Sequence, residues 1–211
     1  MLEPEERRLP LSGSAREGRA VLVVINSTNG RFSPSNDLNC TTITVRTETP
    51  SDAAAIRRVN ELAFGRTNEA ELVDALRREA DPYVSLVAED RGEVVGHIAF
   101  TPVMVELAAG GVVTIAGLAP MAVLPARQRE GIGSMLVVAG LQECRRAGFA
   151  AVVVLGHPEY YPRFGFVPAA RTGLTSKYDV PEPAFMIAEL VEHSIAALRG
   201  VARYHQAFNT V

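Results

Sequence analysis

Apolar and polar residues follow two different periods along the chain, and each change of period marks an element boundary. "TTITVRTE", residues 41–48, alternates at every second position, as a half-buried strand does. "TPSDAAAIRRVNELAFG" then puts Thr49 at an N-cap, Pro50 at the first helical position and Asp52 at the third, a capping-box arrangement. Ile56, Val59 and Ala63 give that helix an apolar stripe. "TNEAELVDALRREAD" predicts a second amphipathic helix with Leu72, Val73 and Leu76 facing inward. "YVSLVAED", a turn at Asp90-Arg91-Gly92 and "EVVGHIAFTPVMVEL" read as a hairpin. "VVTIAGLAPMAVLP" is a further strand that Pro120 interrupts with a bulge or an unpaired stretch.

After "PARQREG" the helical period returns and runs to about Ala147, where Gly148 closes it. "FAAVVVLG" is apolar throughout, the pattern of a buried parallel strand. "HPEYYPRFGFVPA" reads as a short helix or turn followed by a strand start. "AFMIAEL" and "GVARYHQAF" read as further strands around a helical piece near 190–198. The order is β, α, α, a three-strand meander, α, β, α, β: an α/β fold with a mixed sheet. Residues 41–170 form its domain, and 171–211 supply strands that complete it. Residues 1–40 differ, being polar and broken by Pro and Gly around one short apolar run, "AVLVVIN". They read as a poorly ordered extension or one short strand.

Composition narrows the function classes. The chain has 211 residues, 47% hydrophobic and 21% charged, and a net charge of -3. That charge gives no reason to expect nucleic acid as a partner, and it mildly favours a cationic acceptor. Cys40 and Cys144 make neither a disulfide framework nor a zinc site. Cys144 falls at helical spacing with Val137, Leu141 and Gly148, so it reads as a buried, reduced thiol. The run "AVLVVI" is too short for a signal sequence, and no stretch is long enough to span a membrane, which points to the cytoplasm.

The candidate chemistry lies in "PARQREGIGSMLVVAGL", residues 125–141, where Gly131 and Gly133 stand at a helix start. No Walker A loop occurs, and Leu136 occupies the third glycine position of a Rossmann fingerprint. What remains is Gln-x-x-Gly-x-Gly, from Gln128 to Gly133. Backbone N–H groups at a helix start lack partners and carry the positive end of the dipole. Glycines let an anion approach them, and Arg127 and Arg129 add charge at the rim. The same residues also suit a plain strand-to-helix turn with solvated arginines, and spacing alone does not choose between the two.

"LAPMAVLPARQREGIGSMLV" taken with the downstream "YYPRFGF" closely resembles the GNAT superfamily of acyl-CoA-dependent N-acyltransferases. The shared features are a strand ending in a Val-x-Pro step, [QR]-x-x-G-x-[GA], a helix, a buried strand and an aromatic "Y-x-x-x-G-F" segment. They cover roughly residues 43–168. "VVVLGHPEYYPRFGFVPA" is similar in particular to a bacterial subgroup whose acceptors are largely unknown.

The resemblance implies a GNAT-type fold with splayed central strands and flanking helices, and acetyl-CoA as co-substrate with no metal. Residues Gln128, Arg129, Glu130, Gly131, Ile132, Gly133 and Ser134 would hold the coenzyme diphosphate. Met121, Ala122 and Val123 would offer free backbone groups to the pantetheine arm and polarise the thioester carbonyl. Tyr161 matches the tyrosine that protonates the departing thiolate, with Tyr160 as its alternate. For the base that accepts the amine proton the sequence offers His157, Glu159, His97 and Glu106, with His157 the first choice; a water-mediated route stands beside them. A small-molecule or peptide amine would bind near Phe64 and Arg66. The last forty residues would close the site, mediate a homodimer or both. The implied activity is acetyl transfer to a primary amine by direct attack in a ternary complex. The alternative is a sensor or scaffold that binds acyl-CoA without turnover.

Overall fold

The computed structural model describes residues 43–178, 180–196 and 198–210. Cys40 and the run "AVLVVIN" lie outside them. The elements are β1 (Ile43–Thr47), α1 (Ala53–Phe64), α2 (Asn68–Glu79), β2 (Val84–Asp90), β3 (Glu93–Leu107), β4 (Val112–Val123), α3 (Ile132–Arg146), β5 (Ala151–Leu155), β6 (Val167–Pro168), β7 (Leu174–Ser176), β8 (Phe185–Glu189) and β9 (Gly200–Arg203). The strands form one mixed sheet in the order β1-β2-β3-β4-β5-β8-β6, with β9 paired to β3 and β7 to β9.

Helices cover both faces, and the strand pleat sorts the core. Leu86 and Ala88 pack with Leu136, Val137 and Cys144 of α3, whereas Val87, between them, packs with Ile56 and Val59 of α1 and Val73 of α2. Cys144 is buried, and burial pushes its thiol well above the usual range. Asp52 accepts the Thr49 backbone N–H at 2.7 Å, and a short 3-10 turn, Pro50–Asp52, leads into α1. Arg46 holds the same carboxylate at 2.7 Å, tying the start of α1 to β1.

The C-terminal segment departs from the pattern-based expectation. Among the described residues near 190–198 no helix forms; bends and turns occupy 191–196. Only Gly200–Arg203 of "GVARYHQAF" is strand, and Gln206–Thr210 is a 3-10 turn. The aromatic segment after β5 also makes a single 3-10 turn, Tyr161–Phe164, with Pro162 in its first turn and a left-handed Gly165 ending it. β9 pairs antiparallel with Met104–Leu107 of β3, in line with β2, and Leu174, Ala202 and Tyr204 cover the face shared with α1 and α2.

Candidate active site

The sheet opens between β4 and β5. These parallel neighbours pair only at Ala116–Leu118 against Val152–Val154. Beyond that point β4 continues with β3 as far as Val123, while β5 continues with β8 through Leu155. The register with β3 slips where Ala119 and Pro120 together oppose Ala99, so the bulge falls at the proline.

The bulge and pleat decide which backbone groups face the gap. Leu124 N–H donates to Val95 O at 2.9 Å. Alternation along the strand therefore turns the Ala122 amide toward β3 as well, and turns those of Met121 and Val123 toward the opening. Gln128 Nε2 donates to Val123 O at 3.1 Å, which fastens the loop to the end of this strand.

The loop itself is built to bare its amides. Gly131 is the N-cap of α3 at φ 85° and has nothing within 4 Å of the place a Cβ would occupy. Arg129 is left-handed too, at φ 67°, a conformation that costs a non-glycine residue about 1–3 kcal/mol. Successive amides turned inward at a helix N-terminus make an anion cradle. A Cβ on Gly133 would lie 2.9 Å from the Tyr160 hydroxyl, so glycine there is a matter of space.

Both walls enclose one cleft of about 780 Å³, lined on one side by Met121, Val123, Gln128, Arg129, Gly131 and Ser134 and on the other by His157, Tyr160, Tyr161 and Arg163. Tyr161 is 6% exposed, its ring packed on Gly156 and edge-on to Phe166 at 5.5 Å. Burial, with the neighbouring Tyr160, raises its phenol to about 12. Arg127 is spent on Asp90 at 2.7 Å and Glu130 at 2.8 Å. Arg129 and Arg163 have no carboxylate partner among the described residues. Arg163 lies 4.1 Å from the centre of the Tyr160 ring and donates from Nε to Tyr160 O at 2.8 Å.

A family model for the acetyltransferase (GNAT) domain matches residues 44–169. The chain belongs to the GNAT acetyltransferase family. It is 37% identical over 166 residues to the uncharacterized N-acetyltransferase YhbS of Escherichia coli K12, across 78% of this chain and 98% of that protein. The uncharacterized N-acetyltransferase YjhQ of the same strain is 42% identical over 135 residues, 63% of this chain and 74% of that one. Among solved structures, E. coli YhbS in complex with CoA superposes with a TM-score of 0.74 at 34% identity, covering 85% of this chain and 96% of that one. A GNAT acetyltransferase from Brucella melitensis in complex with acetyl-CoA gives a TM-score of 0.65 at 40% identity, over 80% and 99%.

Within this GNAT fold, the expected site residues separate clearly. Gln128, Arg129, Gly131, Ile132, Gly133 and Ser134 line the cleft with Met121, Val123, His157 and Tyr161. Ala122 does not: its side chain packs against α1 at Ile56 and Val59, and its amide faces β3. Glu130 turns outward to Arg127.

Of the base candidates, His157 alone lines the opening; its side chain is exposed and its carbonyl accepts Tyr160 N–H at 3.0 Å. His97 stands apart, fully buried in a network with Asn60 at 3.2 Å and Ser85 at 3.0 Å, and burial lowers its imidazole to about 3. Ser85 passes the chain of bonds on to Glu48. Glu106 lies at the far end of the hairpin and pairs with Arg203 at 2.6 Å. Arg66 pairs with Glu69, and Phe64 is exposed at the end of α1.

Arg163 escaped the sequence reading, since an arginine beside prolines and aromatics looks like solvated surface. The flanking Tyr160 and Phe164, to which it can stack, were the available signal. Among the described residues, no group of three or more His, Cys, Asp and Glu is placed to hold a metal, and no helix is long and apolar enough to cross a membrane.

Proposed function

We propose that the protein transfers an acetyl group from acetyl-CoA to a primary amine by direct attack. The observation that carries the reading is the single cleft joining the glycine cradle of α3, the unpaired edge of β4 and Tyr161. The coenzyme diphosphate rests on the amides from Arg129 to Ser134, with the uncompensated charges of Arg129 and Arg163 on either side. The pantetheine arm follows β4 through the opening and pairs with the backbone at Met121 and Val123. One of these amides donates to the thioester oxygen as negative charge develops there.

The amine lone pair then attacks the carbonyl carbon, the C–S bond breaks, and the nitrogen gives up a proton. His157 is placed to receive that proton, directly or through water. Tyr161, at about 12, is a far weaker acid than a thiol at about 8.5. Handing its proton over completely would be uphill by about 5 kcal/mol. Tyr161 therefore stabilises the departing thiolate as a hydrogen-bond donor and keeps its proton. Holding both reactants in one cleft supplies much of the rate.

The test is release of free thiol from acetyl-CoA in the presence of a panel of primary amines. Amine-dependent release supports transfer. Saturable acetyl-CoA binding with no release from any amine would instead favour a binding module.

A further inference from the structure

Tyr160 takes no part in the chemistry assigned to the cleft, yet it reaches from one wall to the other. Its hydroxyl lies 2.9 Å from the place a Cβ on Gly133 would occupy, in the first turn of α3. Met121 Cε is 3.6 Å from the same point, so the hydroxyl stands where the amide cradle joins the edge of β4. The hydrogen bonds of Tyr160 run through its backbone. Its N–H donates to His157 O at 3.0 Å, and its carbonyl accepts Arg163 Nε at 2.8 Å. The phenol O–H has no partner among the described residues, and it belongs to the wall of an open cleft of about 780 Å³.

Packing holds that hydroxyl in place. The Tyr160 ring meets Tyr161 edge-on at 5.1 Å and Phe164 at 5.4 Å. Tyr161 is part of the core, and Tyr160 and Phe164 pack against it. The Arg163 guanidinium lies over the Tyr160 ring, 4.1 Å from its centre. A donor fixed before its ligand arrives loses little conformational freedom on binding. Across the cleft stand the bared amides at the start of α3, and among the described residues no Asp or Glu lines the space between. A phenol O–H and a guanidinium facing a row of backbone N–H groups make a two-sided donor set for a phosphate.

We propose that the Tyr160 hydroxyl, with Arg163 stacked on its ring, clamps the coenzyme phosphate nearest the pantetheine arm against the start of α3. The inference rests on the acyl-CoA reading of the cleft. The phenol donates a hydrogen bond and keeps its proton, while Arg163 supplies the balancing charge. The position of the hydroxyl beside both Gly133 and Met121 selects this phosphate, because there the cradle gives way to the strand edge that the arm follows.

Calorimetry with CoA, acetyl-CoA and dephospho-CoA tests the clamp, since all three carry this phosphate and differ only at the thiol or the 3′ position. Tyr160→Phe keeps the ring and removes the hydroxyl alone; it should weaken all three ligands alike, by about tenfold. Arg163→Ala should weaken them too, and should cost less once Tyr160→Leu has removed the ring beneath the guanidinium. Circular dichroism checks each fold; where a Tyr160 variant does not fold, uniform weakening by Arg163→Ala carries the test. Undiminished affinity in a folded Tyr160→Phe variant would make the hydroxyl a space-filler over Gly133 and overturn the clamp. A loss confined to acetyl-CoA would place the hydroxyl on the thioester, and a loss absent with dephospho-CoA would place it on the 3′-phosphate. Either result overturns the clamp, as does an Arg163→Ala loss that is the same with and without the ring. Failure of the native protein to bind any of the three would overturn the reading of the cleft itself.

Discussion

The proton affinities of two buried side chains set what they can do. Tyr161 at about 12 stays a donor throughout the physiological range, and a hydrogen bond to a charged partner is worth about 1.5–3 kcal/mol. Tyr161→Phe should therefore lower kcat by about 10–100-fold while acetyl-CoA affinity from calorimetry moves less than about threefold. An unchanged kcat would assign the ring to packing alone. His97 is a stability residue. Its imidazole, near 6.5 in the unfolded chain, falls to about 3 in the fold, so below pH 6.5 the unfolded state binds the extra proton. Stability should fall as pH drops from about 6.5 toward 3, at up to about 1.4 kcal/mol per pH unit. Urea denaturation between pH 7 and 5 should show this slope, and His97→Gln should flatten it. Equal slopes in the two proteins would contradict the buried, neutral assignment. The burial of His97 was legible in part, since it sits in a run, "EVVGHIAF", too apolar for a strand with one wet face.

At the level of elements, the cleft exists because α3 is pinned to the sheet while β4 and β5 part. Gly140 faces Phe100 so closely that a Cβ would overlap the ring. Gly140→Ala should cost about 1–3 kcal/mol by overpacking, read as a lower urea midpoint; a stability equal to the native protein would mean that helix and ring shift freely. The helices, the meander and the glycine loop were legible because each carries a strong period or a fixed spacing. The C-terminal strands were less so. β7 and β9 are only three and four residues long, and β9 finds its partner in β3, nearly a hundred residues earlier. No local pattern encodes such a pairing. Ala122 falls outside the cleft lining for a related reason: a motif marks a strand end, but the pleat decides which alternate amides face the gap.

Across the whole molecule, charge is distributed against its own sum. The net charge is -3, yet Arg129 and Arg163 leave the cleft positive. Acetyl-CoA binding should weaken as salt rises from 0.01 to 0.15 M and the screening length shortens from about 30 to about 8 Å. Replacing both arginines by alanine should weaken binding by about tenfold or more and remove most of that salt dependence. A salt dependence that survives both replacements would place the attraction elsewhere. Arg127, one of the two rim arginines in the sequence reading, proves to be locked to Asp90 and Glu130, which only the fold could reveal.

The central claim is that the start of α3 seats the coenzyme diphosphate. Calorimetric titration with acetyl-CoA of the native protein and of a Gly131→Glu, Gly133→Glu variant that keeps its circular dichroism spectrum tests it most directly. The structure predicts saturable binding to the native protein and none to the variant. Absence of binding to the native protein, or undiminished binding to the variant, would contradict the claim and leave the glycines as a turn.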